Sequence, residues 1–255
     1  MNPALLRATK EQYRRLGFAC LPSLWSSAEI HLAISALDNI VNMANADHAK
    51  WREHVLWQSD IPVSQLASLP VDRLDEALKK VHIIGDVVSH SRVLKAMLMD
   101  ARCAEVAAAV LNSAAKFHFS NATIRDAYVG CSCHWHRDWP NRYCTTKTGQ
   151  QLRLLICLDG MEEIQGATRI IPGSHLWTQK QLTEWLGRPA AEKSSGEPLI
   201  CPPGGMILLG PTLVHGAGPN QSGKPRRNLI AQWGAASEMI CMESFESETG
   251  KTLEY

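Results

Sequence analysis

The sequence predicts an α+β chain in which helices come first and a set of short strands follows. Three observations carry this. The first third reads helical, with an apolar-periodic run after Ser26 and a stretch of good helix formers at 91–112. After about residue 115 short apolar runs alternate with turn-forming residues. No linker-like stretch separates the two parts, so residues 1–255 read as a single domain. Helices followed by consecutive strands imply that the strands close as a sandwich or barrel.

The helical part opens with "TKEQ" (Thr9 to Gln12) and "SSAE" (Ser26 to Glu29), both with capping-box spacing; the second leads into the apolar-periodic "IHLAISALDNIVNMA". "SRVLKAMLMDARCAEVAAAVLN" (91–112) is rich in good helix formers and predicts one or two further helices. Between them, residues 46–88 have weak periodicity, two tryptophans (Trp51, Trp57) and breaks at Pro62 and Pro70, and are expected to cover the fold rather than form its core. Strands are then expected in "KFHFSNATIRD", "CSCHWHRDW", "LRLLICLDG", "ATRIIPGS", "GMILLG", "TLVHGAG" and "RNLIAQWGA". One helix, "TQKQLTEWLG" (178–187), interrupts them.

Composition narrows the partners. The chain is 45% hydrophobic and 20% charged with a formal net charge of +1 and no lysine or arginine run, so neither nucleic acid nor a membrane surface is expected as partner. The eight cysteines are scattered, the first residues lack the apolar core of a signal peptide, and no apolar run approaches a membrane span. A reducing, cytoplasmic location is therefore the expectation. The pattern says nothing about oligomeric state.

The chemistry concentrates in "CHWHRDWP" (133–140). In an extended strand His134, His136 and Asp138 share one face, while Trp135, Arg137 and Trp139 share the other. Two imidazoles and a carboxylate are ligand types for a first-row transition metal. A ligand from outside is available in His215 of "PTLVHGAG", 79 positions after His136, and Arg226 follows 11 positions later. Arginine pairs planar carboxylates through two parallel hydrogen bonds. Other sets remain open at this level. His134, His136 and His215 could form a three-histidine site, which would leave Asp138 unexplained. Cys131, Cys133, His134 and Cys144 could hold zinc, although C-x-C lacks the usual knuckle spacing and has no second pair.

"WHRD", "GATRIIPGSH" and "HGAGPNQSGKPR", in this order and spacing, resemble the phytanoyl-CoA dioxygenase family of iron(II)- and 2-oxoglutarate-dependent oxygenases; the resemblance runs from about residue 115 to 235 and weakly includes "GFACLP". It implies a double-stranded β-helix, a jelly-roll barrel with the N-terminal helices packed outside. It also implies Fe(II) bound by His136, Asp138 and His215, the distal carboxylate of 2-oxoglutarate held by Arg226, and Thr123 turned towards that cosubstrate. The implied activity is oxidation, hydroxylation above all, of an unactivated C–H bond in a small organic molecule. A non-enzymatic binding barrel of the same fold is the alternative. One departure is visible: Ala217 stands where many relatives carry a hydroxyl residue, so another group must supply the second hydrogen bond to the distal carboxylate. Substrate contacts are expected from Trp139 and Arg142 in the segment that leaves the iron strand, and from residues 46–88.

Overall fold

Asn2 decides where the first helix starts. Its side chain accepts from the Ala4 N–H, and Pro3 fills a first-turn position that needs no donor. The helix Pro3–Leu16 ends at Gly17, whose φ of 78° is the left-handed conformation glycine adopts freely. Thr9 therefore sits inside it, donating its hydroxyl to the Leu5 carbonyl, and the expected start at Thr9 is corrected towards the N-terminus. The Ser26/Glu29 capping box does open the helix Ser27–Ala46. The 91–112 stretch forms two helices, Arg92–Leu98 and Ala101–Leu111, because Asp100 accepts from the Arg102 N–H and restarts the second. Thr178 and Gln181 box the start of the helix Gln179–Leu186.

The computed structural model describes residues 1–140, 144–189, 196–242 and 246–252. In chain order its strands are β1 (Phe18–Leu21), β2 (Val55–Trp57), β3 (Val81–Gly85), β4 (Ala115–Arg125), β5 (Cys133–His136), β6 (Cys144–Thr146), β7 (Gln151–Cys157), β8 (Thr168–Ile170), β9 (Glu197–Pro198), β10 (Met206–Leu209), β11 (His215–Ala217), β12 (Arg226–Ala235) and β13 (Ile240–Met242). The large sheet has the order β1-β10-β7-β12-β4-β3-β2, the small one β5-β11-β8-β9, and β13 pairs with β6. Every pair is antiparallel, and the two larger sheets form the jelly roll of a double-stranded β-helix.

Alternation along the large sheet separates two apolar layers. Leu154 and Ile156 of β7, Met206 and Leu208 of β10, and Leu229 and Ala231 of β12 pack on the helices. Their neighbours Leu155, Ile207, Leu209 and Ile230 form a second cluster with Ile170 of the small sheet. Period-two patterning thus sends one face outward to the helices and the other into the barrel.

The 46–88 segment does more than cover the fold. Its β2 and β3 extend the large sheet, with Ile83 opposite Thr123 of β4. Trp51 and Trp57 are 7% and 2% exposed and belong to the core, which corrects the expectation from sequence. Short irregular helices hide this in the sequence, since none presents a sustained period.

Candidate active site

Two strands of the small sheet deliver the site. His136 ends β5 and His215 begins β11, and the two are paired in register, so their rings lie 4.2 Å apart between centroids. Asp138, two residues beyond β5, is 3% exposed. One carboxylate oxygen lies 3.7 Å from His136 Nε2 and the other 3.7 Å from His215 Nε2. That is too long for a hydrogen bond and suits ligands arranged around a shared cation. The far ring nitrogens are committed elsewhere. His136 Nδ1 lies 2.8 Å from the His134 carbonyl and His215 Nδ1 lies 3.0 Å from the Leu213 carbonyl. A carbonyl only accepts, so Nδ1 carries a proton in both rings and Nε2 is the atom left to a metal. Against burial, the Cys133 thiol and then Asp138 raise His136 to about 9, so its Nε2 would give up a proton on coordination. Among the described residues these three are the group whose donor atoms all fall within 4.8 Å of one another. The donor set of two imidazoles and one carboxylate fits iron(II).

His134 does not join them. Between Ala217 and His215 the pairing with β5 advances from Cys133 to His136, three steps against two. This bulge inserts one residue and breaks the alternation that put His134 beside His136. His134 is exposed, and Cys133 instead faces the cavity, its Sγ 4.0 Å from His136 Nδ1. The three-histidine set is thereby removed. Cys131 is equally unavailable to a zinc cluster with His134, since it is buried with its Sγ 3.6 Å from His82 Nδ1.

Electrostatics follow from burial. Burying Asp138 opposes its ionisation, yet Arg153, at 2.8 Å, and the two imidazoles hold it below the ordinary carboxylate range. Burial, then the neighbouring His136, lowers His215 to about 4, which keeps it neutral and able to coordinate. Arg153 is an inward position of β7 that the motif alone did not reveal. The signal was present in "LRLLICL", where it is the one charge in an apolar run and shares the parity of Leu155.

The same cavity, of about 170 Å³, runs from the imidazoles to Arg226, Asn228 and Thr123. Arg226 and Asn228 share the parity of Ile230 on β12, and Thr123 is the register partner of Asn228. Arg226 is 2% exposed; burial and then the neighbouring Arg125 lower its pKa to about 9. With the amide turned to satisfy both ends, Asn228 Oδ1 accepts from Arg226 Nη1 at 2.9 Å. The Nε of Arg226 stays buried without a partner in a side chain that lines the cavity. Arg227 has the opposite parity and is tied to Asp159 and Asp38, each at 2.6 Å. Ala217 lines the cavity as well, opposite Thr168 of β8.

Of the two expected substrate residues, Trp139 lies among the described residues. The Trp139 indole N–H donates to the Thr146 carbonyl at 2.9 Å, and its ring lies against Gly149, outside the residues lining the cavity. Arg142 lies outside the described residues. His82 and Ile83 of β3 do line the cavity, so the 46–88 segment reaches the site directly.

Over 135 residues the chain is 27% identical to the multifunctional dioxygenase prhA of Penicillium brasilianum, covering 51% of this chain and 45% of the relative. Over 84 residues it is 40% identical to the dioxygenase trt7 of Aspergillus terreus, covering 32% of this chain and 27% of the relative. The matched part is thus less than half the length of either relative. Among solved structures, the α-ketoglutarate-dependent epimerase SnoN from nogalamycin biosynthesis superposes with a TM-score of 0.70 at 16% identity, covering 97% of this chain and 87% of that one. EctD from S. alaskensis with bound Fe gives 0.69 at 20% identity, covering 92% and 78%. These likenesses show the fold. The model of the family described as phytanoyl-CoA dioxygenase (PhyH) matches residues 13–228, and on that match, most of the chain's length, the protein belongs to the phytanoyl-CoA dioxygenase family.

Proposed function

We propose that this protein is an iron(II)- and 2-oxoglutarate-dependent dioxygenase that oxidises a C–H bond of a small organic molecule, with hydroxylation as the outcome. One observation carries the reading. One cavity is lined both by His136 and His215, whose donor atoms converge with the Asp138 carboxylate within 4.8 Å, and by Arg226, a buried arginine with an unpartnered Nε. In this reading His136, Asp138 and His215 hold the iron, and Arg226 takes the distal carboxylate with Thr123 beside it. When bound, the iron and cosubstrate supply the oxidising chemistry, with release of succinate and carbon dioxide.

The chain's own residues bind, orient and exclude water. The carbonyls of His134 and Leu213 fix the imidazole tautomers. Arg153 keeps Asp138 ionised. His136 is the open side of the site, its side chain 40% exposed, and a substrate would approach there. Selection falls to residues 139–151, with Trp139 as anchor and Arg142 as contact, and to His82 and Ile83. SnoN is an epimerase and SnoK a carbocyclase, so the outcome rests on which atom of the substrate is presented. The free cysteines among the described residues support a reducing, cytoplasmic location.

The test is succinate formation from 2-oxoglutarate by the purified protein, with iron(II) and oxygen each withheld in turn. Succinate should require both. The variants His136→Ala, Asp138→Ala and His215→Ala should each abolish it, while His134→Ala should retain it. Wild-type protein that forms no succinate under any condition, yet binds small molecules, would instead be a binding barrel.

A further inference from the structure

Arg226 has a second arginine beside it. In the antiparallel pairing of β12 with β4, Arg226 and Arg125 are direct Cα partners, and both side chains line the cavity. Arg125 is 6% exposed. One of its Nη atoms donates to the Cys131 carbonyl, which turns the guanidinium under the loop joining β4 to β5, and its Nε is buried without a partner. Neither arginine has an acidic side chain within ion-pair distance among the described residues. Two buried like charges on adjacent strands are costly unless an anion sits between them. Their field is visible at His82, which burial first, and then Arg125 and Arg226, lower to about 3.

The position of the pair along the barrel says which anion. Arg153, beside Asp138, lies opposite Gln232 on β12, whereas Arg125 lies opposite Arg226 at the far end of that strand. Arg125 is thus level with Arg226, at the end of β12 away from Arg153 and the Asp138 it holds. Cys133 and Ala217, which are register partners, line the cavity too, and Ala217 offers no hydrogen bond.

We propose that Arg125 is a second clamp on the distal carboxylate of 2-oxoglutarate, supplying with its guanidinium the hydrogen bond that Ala217 cannot make. Arg226, braced by Asn228, takes one side of the carboxylate, and Arg125, braced by the Cys131 carbonyl, takes the other. This rests on the 2-oxoglutarate reading of the site and adds a residue that binds the cosubstrate. One carboxylate shared by two guanidiniums also relieves their mutual repulsion, so cosubstrate binding and local stability are linked.

The experiment is calorimetric titration of the full chain, anaerobic and loaded with manganese(II), with two ligands. One is 2-oxoglutarate. The other is 2-oxopentanoate, which has the same skeleton but ends in a methyl group where the distal carboxylate was. Arg125→Gln should weaken 2-oxoglutarate about tenfold or more while leaving 2-oxopentanoate unchanged. Arg125→Lys should recover part of the loss, because a cation remains. Unfolding of each variant, followed by circular dichroism, shows that the titrated protein is folded. Equal weakening of both ligands by Arg125→Gln, or weakening that Arg125→Lys does not ease, would make Arg125 a merely structural residue and overturn the proposal. Unchanged affinity for 2-oxoglutarate in Arg125→Gln overturns it too, and points Arg125 at a substrate anion. Wild-type protein that binds neither acid overturns the function reading and this proposal with it.

Discussion

Asp138 needs more than its two histidine neighbours. A carboxylate at 3% exposure is ionised only if a cation compensates its lost hydration, and Arg153 at 2.8 Å does so before any metal arrives. Removing that guanidinium should push the carboxyl towards protonation and loosen its orientation. Arg153→Gln is therefore expected to lower iron(II) affinity about 10–100-fold, read by metal titration under anaerobic conditions. Affinity within error of the parent would mean that the metal alone keeps Asp138 ionised. At this scale the sequence was legible where chemistry and spacing coincide: His136, Asp138, His215 and Arg226 meet in one cavity or at its mouth. It was illegible where a partner lies on another strand. Nothing near "HRD" announces Arg153, and the parity that turns it inward becomes meaningful only when β7 is known to face β5 across the barrel. His134 failed for a related reason, since a bulge in β5 has no residue signature in "CSCHWH".

Along a whole strand, alternation turns chemistry on and off from one residue to the next. β12 alternates Arg226, Asn228 and Ile230 into the barrel with Arg227, Leu229 and Ala231 out towards the helices. Arg227 meets Asp159 through Nε and Nη2 and reaches Asp38 on the helix Ser27–Ala46, so it fastens the sheet to its helical layer. Hydrogen bonding to Asp159 first, and then to Asp38, raises its pKa further. The two neighbours should separate cleanly on mutation. Arg227→Ala is expected to lower unfolding stability by about 1–3 kcal/mol, measured by urea denaturation, with 2-oxoglutarate affinity unchanged. Arg226→Ala should weaken 2-oxoglutarate about tenfold or more. A reversed ranking would place the strand one residue out of register. The pattern "PRRNLIAQW" carries this information openly, because β12 is long and buried on both faces. The 46–88 segment carried little, being built from elements of three to five residues, of which β3 joins the sheet through β4 and β2 through β3.

Across the whole molecule, one buried group links the fold to pH. β4 joins the helical layer, the barrel and the 246–252 segment, with the Phe117 N–H donating to the Lys251 carbonyl at 2.8 Å. His118 is the extra residue of the bulge where Gln232 and Trp233 pair with Phe119 and Phe117. Its ring is 0% exposed, in a slot that Gly234 leaves open: a Cβ there would come within 2.3 Å of the imidazole. Nδ1 lies 3.1 Å from Gln232 Nε2, an amide donor, so the ring accepts through Nδ1 and is neutral in the fold. Burial first, and then the neighbouring Lys116, lower its pKa to about 4. In the unfolded chain the same group titrates near 6.5. Between these values the unfolded state binds the proton and the folded state does not, so stability falls as pH drops below about 6.5 and the loss levels off below about 4. By pH 4.5 the loss from this group should amount to about 2–3 kcal/mol relative to neutral pH. His118→Gln keeps a polar side chain in the slot and has nothing to protonate. Its stability at neutral pH should be somewhat lower than that of the parent, because the amide fits the slot less well. Its slope of stability against pH between 6.5 and 4.5 should nevertheless be shallower by that amount, measured by urea denaturation at a series of pH values. Parallel slopes for the two proteins would show that His118 is protonated within the fold, and that the acid sensitivity of the barrel arises from its paired carboxylates.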